Sequence, residues 1–519
     1  MNTDVLVIGS GIAGLSFAIK TAIARPDAAV VVLTKSSSDV CSSSRAQGGI
    51  AVVLDRVRDS FEQHIEDTMK AGRGVNDPYI VEMVISQAPE RLQELIDWGT
   101  SFDANELGEL ELGLEGGHSQ KRIVHHRDLT GKEMVTKLLQ KAASLENITF
   151  YDHYFVTDLL LNKTGTKSTC VGVEALDNNS GKLIDINSRI TYLATGGSGR
   201  IFSNTTNPSV ATGDGVAMAM RAGAKVSGMN YIQFHPTALY SKDSHALFLI
   251  SEAVRGYGAH LVNHEGKRFV FKYDPRGELA TRDIVSEAIA EELKATGEEY
   301  VFLDCRHLDE SSFKEHFPTI VQHCTSVGLD VMTDLIPVVP AAHYQCGGIE
   351  VNEFSRTSIG NLYAAGECAQ TGLHGSNRLA SNSLLEALVF SHQAAGVVVR
   401  ELNFIPSPKT GEEEKVLVKG FGADKFTLQE IRSSLNKLMT YGLLHASGVN
   451  EKERALDNIK ALQTKLNMFP HSGNLAYFEL KNMLQAAQLI VEQAVEASVT
   501  RSYGETMKSF RKLSIPEPA

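Results

Sequence analysis

The sequence predicts an α/β fold: a Rossmann-like sheet, a mixed α+β segment inserted into it, and a helical bundle at the C-terminal end. Three observations predict it. A strand, a glycine turn and a helix follow one another at the start of the chain. Two further apolar strands, far downstream, also end in glycine turns. From Thr427 onward the apolar residues recur with helical spacing.

Residues 4–9 (DVLVIG) read as a short buried strand, followed by GSGIAG and then by LSFAIKTAIA with helical periodicity; a second strand is expected at Ala29–Leu33. In that context G-x-G-x-x-G is a dinucleotide-binding signal. Gly9 permits the tight turn, Gly11 lets a pyrophosphate approach the backbone, and Gly14 lets the helix pack on the strand. The helix N-terminus offers N–H groups and a positive dipole end to the phosphates. The acidic residue that usually holds a ribose after the second strand is absent, and Thr34-Lys35 stands there, so NAD binding through that carboxylate is not supported.

ITYLATGGSG (190–199) and IGNLYAAGECAQTG (359–372) read as returns of the same sheet toward one cofactor. The distance between them implies an insertion, at 235–345, which divides the sheet domain into 1–234 and 346–405. After a linker around Pro406 and Pro408, LQEIRSSLNKLMTYGLL and YFELKNMLQAAQLIVEQAVEASV are amphipathic and helical, which places a helical domain at 420–519.

The chain has 519 residues, enough for about three domains. Its net charge of -12 argues against a bulk electrostatic grip on nucleic acid or anionic lipid, while leaving room for a local anion pocket. The six cysteines (Cys41, Cys170, Cys305, Cys324, Cys346 and Cys368) show no C-x-x-C and no ferredoxin-type spacing. Neither a metal cluster nor a disulfide framework is expected, which suits a reducing cytoplasm. The opening MNTDVLVIG lacks a basic leader, and no apolar run reaches about eighteen residues, so neither a signal peptide nor a membrane span is expected.

Polar residues cluster where the glycine-rich loops should converge. His235 precedes Pro236 in NYIQFHPTALY; Ser251, Glu252 and Arg255 share LISEAVRGYG; Arg282 opens a helical pattern; His343 precedes two glycines; and LHGSNRLASNSLLEAL carries His374, Arg378 and Ser383. Taken singly, each histidine reads as a structural residue, Arg282 as a surface charge or cap, and Ser251-Glu252 as the start of a helix. Together, two histidines and two arginines on both sides of an insertion suit a small dianion. Charge-assisted bonds to carboxylates contribute roughly 1.5–3 kcal/mol each.

The ordered set GSGIAG, RAQGGIA, HHRDLTG, QFHPT, SEAVRG, RDIV, AAHYQCGG, YAAGE and GSNRLASNSLLE resembles the succinate dehydrogenase/fumarate reductase flavoprotein family, most nearly its branch that oxidises L-aspartate. The likeness runs from Asp4 to about Gln393; the last hundred or so residues match only in being helical. The resemblance implies an FAD-binding domain, a capping domain and FAD itself, which accounts for the missing ribose carboxylate. It carries FAD contacts onto Ser10, Gly11, Ile12 and Ala13, onto Lys35 near the adenosine, and onto Ser42, Ser43, Ser44, Arg45, Ala46, Gln47, Gly48 and Gly49. Asp214, Glu367, Ser383 and Leu384 complete that set. Substrate contacts carry over to His235, Ser251, Glu252, Arg282, His343 and Arg378, with Arg282 in the role of proton donor/acceptor when fumarate is reduced. A guanidinium with a pKa above about 12 is a poor acid, so in the oxidation of an amino acid Arg282 is expected chiefly to orient and to stabilise charge.

The implied reaction is hydride transfer from the α-carbon of L-aspartate to flavin N5, giving iminoaspartate. The flavin is then reoxidised by O2, giving H2O2, or by fumarate, giving succinate. This is the first step of de novo NAD synthesis through quinolinate, with quinolinate synthase as metabolic partner. The alternative within the resemblance is a fumarate reductase/succinate dehydrogenase flavoprotein subunit. A flavin-holding binding protein, such as an RNA-modification factor, is disfavoured by the net acidity and the dicarboxylate constellation.

Two positions bear on that choice. Glu115, in ELGLEGGHS, stands where succinate enzymes tend to carry an apolar residue; it reads either as an acceptor for the α-ammonium of aspartate or as a loop residue in an acidic stretch. Ser42 stands where membrane-linked members carry the histidine joined covalently to FAD, so noncovalent FAD is expected. Ser251 replaces a common threonine but retains the hydroxyl.

Overall fold

In the computed structural model, residues 1–242, 246–407, 425–440, 448–469 and 474–513 are described. The large sheet has seven strands. Its centre is the Asn2–Ile8 strand, flanked in parallel by Val30–Thr34 and by the C-terminal half of Lys182–Leu193. Ile148–Asp152 extends it beyond Val30–Thr34, and Leu362–Ala364 pairs in parallel with Thr191 to Leu193. The N-terminal half of Lys182–Leu193 instead closes an antiparallel meander with Lys167–Asp177 and Tyr154–Thr164.

A central parallel strand is covered on both faces, which is why VLVI is an unbroken apolar run. Val5 and Val7 face a core built from the Ile12–Ala24, Pro78–Asp97, Thr130–Ala143 and Asn382–Glu401 helices. Leu6 and Ile8 face the other way, into a core shared with Leu428, Ile431, Leu435, Ile459, Met483 and Ile490. The C-terminal helices Lys425–Thr440, Val449–Asn467 and Leu475–Leu513 therefore cover the second face of the sheet side. The helical pattern read to Leu444 stops at Thr440 among the described residues. Residues 441–447 and the Pro408 end of the expected linker lie outside them.

The inserted segment has its own four-stranded antiparallel sheet, in the order Ile232–Leu239, Ile336–Gln345, Val301–Asp304, His260–Val262. Its core includes Ile250, Leu261, Val285, Ile289, Leu303 and Ile336. The strands at its two ends are neighbours, so the chain leaves and returns side by side, with Gln233 opposite Tyr344 and His235 opposite Ala341. The 234/235 limit drawn from the sequence falls inside a strand. Pro236, which fixes a non-helical backbone at His235, lies in that strand at a register shift between His235 and Ala238. A bulge is where a strand tolerates a residue without an N–H.

Candidate active site

The parallel strands all end at one cavity of about 1100 Å³, whose wall includes Gly9, Lys35, Thr195 and Gly366 just past those ends. Open α/β sheets bind ligands at the carboxyl ends of their strands. The cavity runs from Lys35 to the seam with the inserted segment, where Arg282 and His343 line it.

The first part fits a dinucleotide. Gly9 has φ +107°, and a Cβ there would lie 2.2 Å from the Ala194 carbonyl oxygen, so glycine is required for the turn. The Ile12–Ala24 helix starts from an extended Gly11 with no side-chain cap and no acidic residue in its first turn. Of its opening amides, Ile12 N–H is taken by Ser43 Oγ (3.3 Å). The remaining first-turn amides and the helix dipole suit a pyrophosphate. Gly14, the third glycine of the dinucleotide-binding signal, is off the cavity wall: a Cβ there would meet the Gly9 carbonyl oxygen at 2.0 Å, so its work is helix–strand packing. CSSSRAQGGI forms a 3-10 turn at Ser43–Arg45 against the Thr130–Ala143 helix, with Gly131 N–H donating to the Ala46 carbonyl (2.9 Å). Ser42 to Gly49, Asp214, Glu367, Ser383 and Leu384 line the same wall. Glu367 accepts from Gln345 N–H (3.0 Å), and burial pushes its carboxyl up to about 7.

At the other end, buried charges are arranged around Gln233, whose Oε1 accepts from Arg282 Nη1 (3.1 Å) and from Arg378 Nη2 (3.1 Å). Arg282 Nε donates to Glu252 Oε2 (2.5 Å), and Arg378 Nη1 donates to Ser383 Oγ (2.7 Å) over the ring of Tyr344. Burial, with Arg282 beside them, pushes both His235 and His343 well below the ordinary imidazole range, so both are neutral. Thr237 N–H donates to His235 Nδ1 (3.3 Å), which puts the ring proton on Nε2, an atom with no partner among the described residues. Thr206 Oγ1 pairs with His343 Nδ1 (2.8 Å). Ser251 caps the Glu252–Gly256 helix by accepting from Ala253 N–H (3.2 Å), and its hydroxyl proton has no partner among the described residues.

Glu115 is no exposed loop residue: it is 4% exposed and on the cavity wall. Ser381 Oγ donates to its Oε2 (2.6 Å) and accepts from Gly49 N–H (3.2 Å). The loop after it is pinned by fully buried Arg122, which donates to both oxygens of Asp59 and pairs with His118 Nδ1 (3.1 Å); His118 Nε2 reaches the Ala380 carbonyl (2.9 Å). Burial raises the Glu115 carboxyl above its ordinary range, against the pull of Arg282.

Two expectations are corrected by position. Arg255 does not line the cavity; it is buried behind Glu252, with Nη2 3.1 Å from Glu252 Oε1 and Nη1 on the Glu278 carbonyl. His374 is also off the wall, with Nε2 on Glu386 Oε2 (3.0 Å), beneath Tyr344. The other expected residues meet in one space. Sequence reasoning missed the neutral positioning groups Gln233, Ser381, Thr206 and Thr237, and Gln233 was legible only as a neighbour of His235.

The FAD binding domain family model matches residues 4–384. L-aspartate oxidase 2-b, chloroplastic, of Nicotiana tabacum is 40% identical over 96% of this chain and 80% of that protein. L-aspartate oxidase of Yersinia pestis is 39% identical over 99% and 98%. Among solved structures, a variant FrdA of E. coli quinol fumarate reductase superposes with a TM-score of 0.87 at 29% identity, over 95% of this chain and 89% of that one.

Proposed function

Since the chain belongs to the L-aspartate oxidase family of FAD-dependent oxidoreductases, we propose that it oxidises L-aspartate to iminoaspartate. O2 (giving H2O2) or fumarate (giving succinate) takes up the electron pair. The reaction would open de novo NAD synthesis, with quinolinate synthase consuming the unstable imine, in a reducing cytoplasmic setting.

One observation carries this reading. The cavity sets two arginines and two neutral histidines, groups for two carboxylates, around a buried carboxylate at Glu115, the group for an ammonium. Succinate and fumarate have nothing to offer Glu115. The residues suited to hold FAD are Ser10 to Ala13, Lys35, Ser42 to Gly49, Asp214, Glu367, Ser383 and Leu384. When bound, FAD supplies the two-electron acceptor for the hydride that leaves the α-carbon.

The chain's own part is positioning and preorganised charge. Arg378, His343, His235 and Ser251 hold the carboxylates. His235 Nε2–H is already desolvated and has no partner among the described residues, so it meets a carboxylate oxygen without losing a bond to them. Glu115 accepts from the α-ammonium and takes up the proton that this nitrogen must release as the α-hydrogen leaves. Arg282, fixed by Glu252 and Gln233, presents Nη2 to the substrate and balances its charge; Arg255 steadies Glu252 from behind.

No histidine stands at position 42 to bond the flavin, so FAD is held without a covalent link. Acid precipitation is expected to leave all flavin in the supernatant, and flavin retained in the washed pellet would contradict this. The reading as a whole is tested by turnover of L-aspartate against turnover of succinate. The alternative, a fumarate reductase/succinate dehydrogenase flavoprotein subunit, predicts the reverse preference.

A further inference from the structure

The end of the second strand of a dinucleotide-binding sheet is where a carboxylate ordinarily holds the adenosine ribose. This chain has an ammonium there, and the ammonium is not left alone. Lys35 Nζ donates to Thr212 Oγ1 (2.5 Å), to Asp214 Oδ2 (2.7 Å) and to Glu479 Oε1 (2.7 Å). Glu479 comes from the Leu475–Leu513 helix, in the part of the chain whose sequence showed nothing beyond helical spacing.

The neighbours of Glu479 on that helix work on the same wall. Asn482 Nδ2 donates to Asp214 Oδ1 (2.9 Å), and Asn482 Oδ1 accepts from Arg221 Nη1 (2.8 Å). The Phe478 ring packs against Phe155, with centroids 6.1 Å apart; Phe155 lines the cavity, and Lys35 Nζ lies 5.7 Å from the centre of its ring. Asp214 and Lys35 are on the cavity wall, whereas Glu479 stands behind them. Burial alone acts to lower the Lys35 pKa, but Asp214 and Glu479 outweigh it and keep the ammonium charged.

We infer that Glu479 is a positioning residue for the adenosine end of FAD: it anchors the Lys35 ammonium from behind, so that Lys35 and the Asp214 carboxylate keep their places on the cavity wall. The last helix is thereby part of the cofactor site, although none of its described residues lines the wall itself. Without Glu479, Asp214 is the one carboxylate left on the buried ammonium among the described residues. The pair then relaxes toward each other and away from the geometry that a ribose requires. Side-chain exposures of 14% for Lys35 and 15% for Glu479 leave little water to take the missing partner's place.

The inference rests on FAD occupying this cavity, and the experiment separates the two. Full-length wild type and Glu479→Gln are freed of flavin by dialysis and titrated with FAD and with FMN, which lacks the adenosine. Glu479→Gln is expected to weaken FAD at least about tenfold and FMN less than twofold, and its flavin-free form is expected to melt with the wild type. Glu479→Asp, which keeps the charge at shorter reach, recovers part of the FAD affinity. FAD affinity within twofold of wild type overturns the inference, as does an equal loss for FAD and FMN, which would mark a general loosening. Failure of the wild type itself to bind FAD overturns the cofactor reading and takes the inference with it.

Discussion

Replacing Arg282 with leucine is expected to lower kcat/KM for L-aspartate by about a hundredfold to several thousandfold while the protein retains FAD. Three things are lost at once. The substrate loses a charge-assisted donor, Glu252 loses the partner of its Oε2, and Gln233 loses one of the two guanidinia it holds together. Removing one member of a buried ion pair typically costs about 3–5 kcal/mol because the other charge is left uncompensated. At about 1.4 kcal/mol per tenfold in rate, that corresponds to two to nearly four powers of ten. Arg282→Lys keeps the charge, but a lysine cannot serve Glu252, Gln233 and the substrate together from a planar fork; an intermediate loss of about ten- to a hundredfold is expected. Steady-state kinetics with the flavin absorbance as loading control read both. Activity within tenfold of wild type in Arg282→Leu would remove Arg282 from the site.

Replacing Glu115 with glutamine is expected to separate the two substrates. Aspartate oxidation loses a charge-assisted contact of about 1.5–3 kcal/mol, roughly a ten- to 150-fold fall in kcat/KM. Fumarate reduction with an artificial donor, which presents no ammonium, is expected to change less than threefold. The same residue sets a pH signature. Burial raises its carboxyl pKa, and the ammonium requires the carboxylate form, so the wild-type KM for aspartate falls as pH rises through that raised value. Glu115→Gln flattens the dependence. Stability runs the other way in the substrate-free protein. A carboxyl with a raised folded pKa stabilises the fold fully below its unfolded value of about 4.3 and loses that contribution as pH rises through the folded one. Glu115→Gln therefore gains thermal stability relative to wild type as pH rises from about 4.3 through that raised value. Equal losses with aspartate and fumarate would take Glu115 away from the ammonium.

Local chemistry was the legible part of the sequence. The turn at Gly9 and the strand before it are written in residues that permit little else, and Ser42 to Gly49 line the cavity. Arg282, Arg378, His235 and His343 could be grouped because each lies beside a glycine, a proline or a helix start. What could not be read was which polar side chains are turned away from the cavity. Arg255 and Glu252 are one turn apart on the same short helix, and only the packing of the Glu278 carbonyl decides that Arg255 points back. Gln233 and Ser381 carry no charge and no motif of their own, yet one joins the arginines and the other holds Glu115. Glu479 was out of reach for a different reason: an amphipathic helix announces the face it buries, but not the lysine, far away in sequence, that one of its carboxylates will meet.

The most direct test of the whole account is hydrogen peroxide formation by purified, FAD-loaded protein in air, with L-aspartate or succinate as the only substrate and an artificial acceptor added in a parallel succinate assay. Peroxide is expected in step with aspartate consumed, with little turnover of succinate under either condition. Robust succinate oxidation with the artificial acceptor, and no peroxide from aspartate, would contradict it.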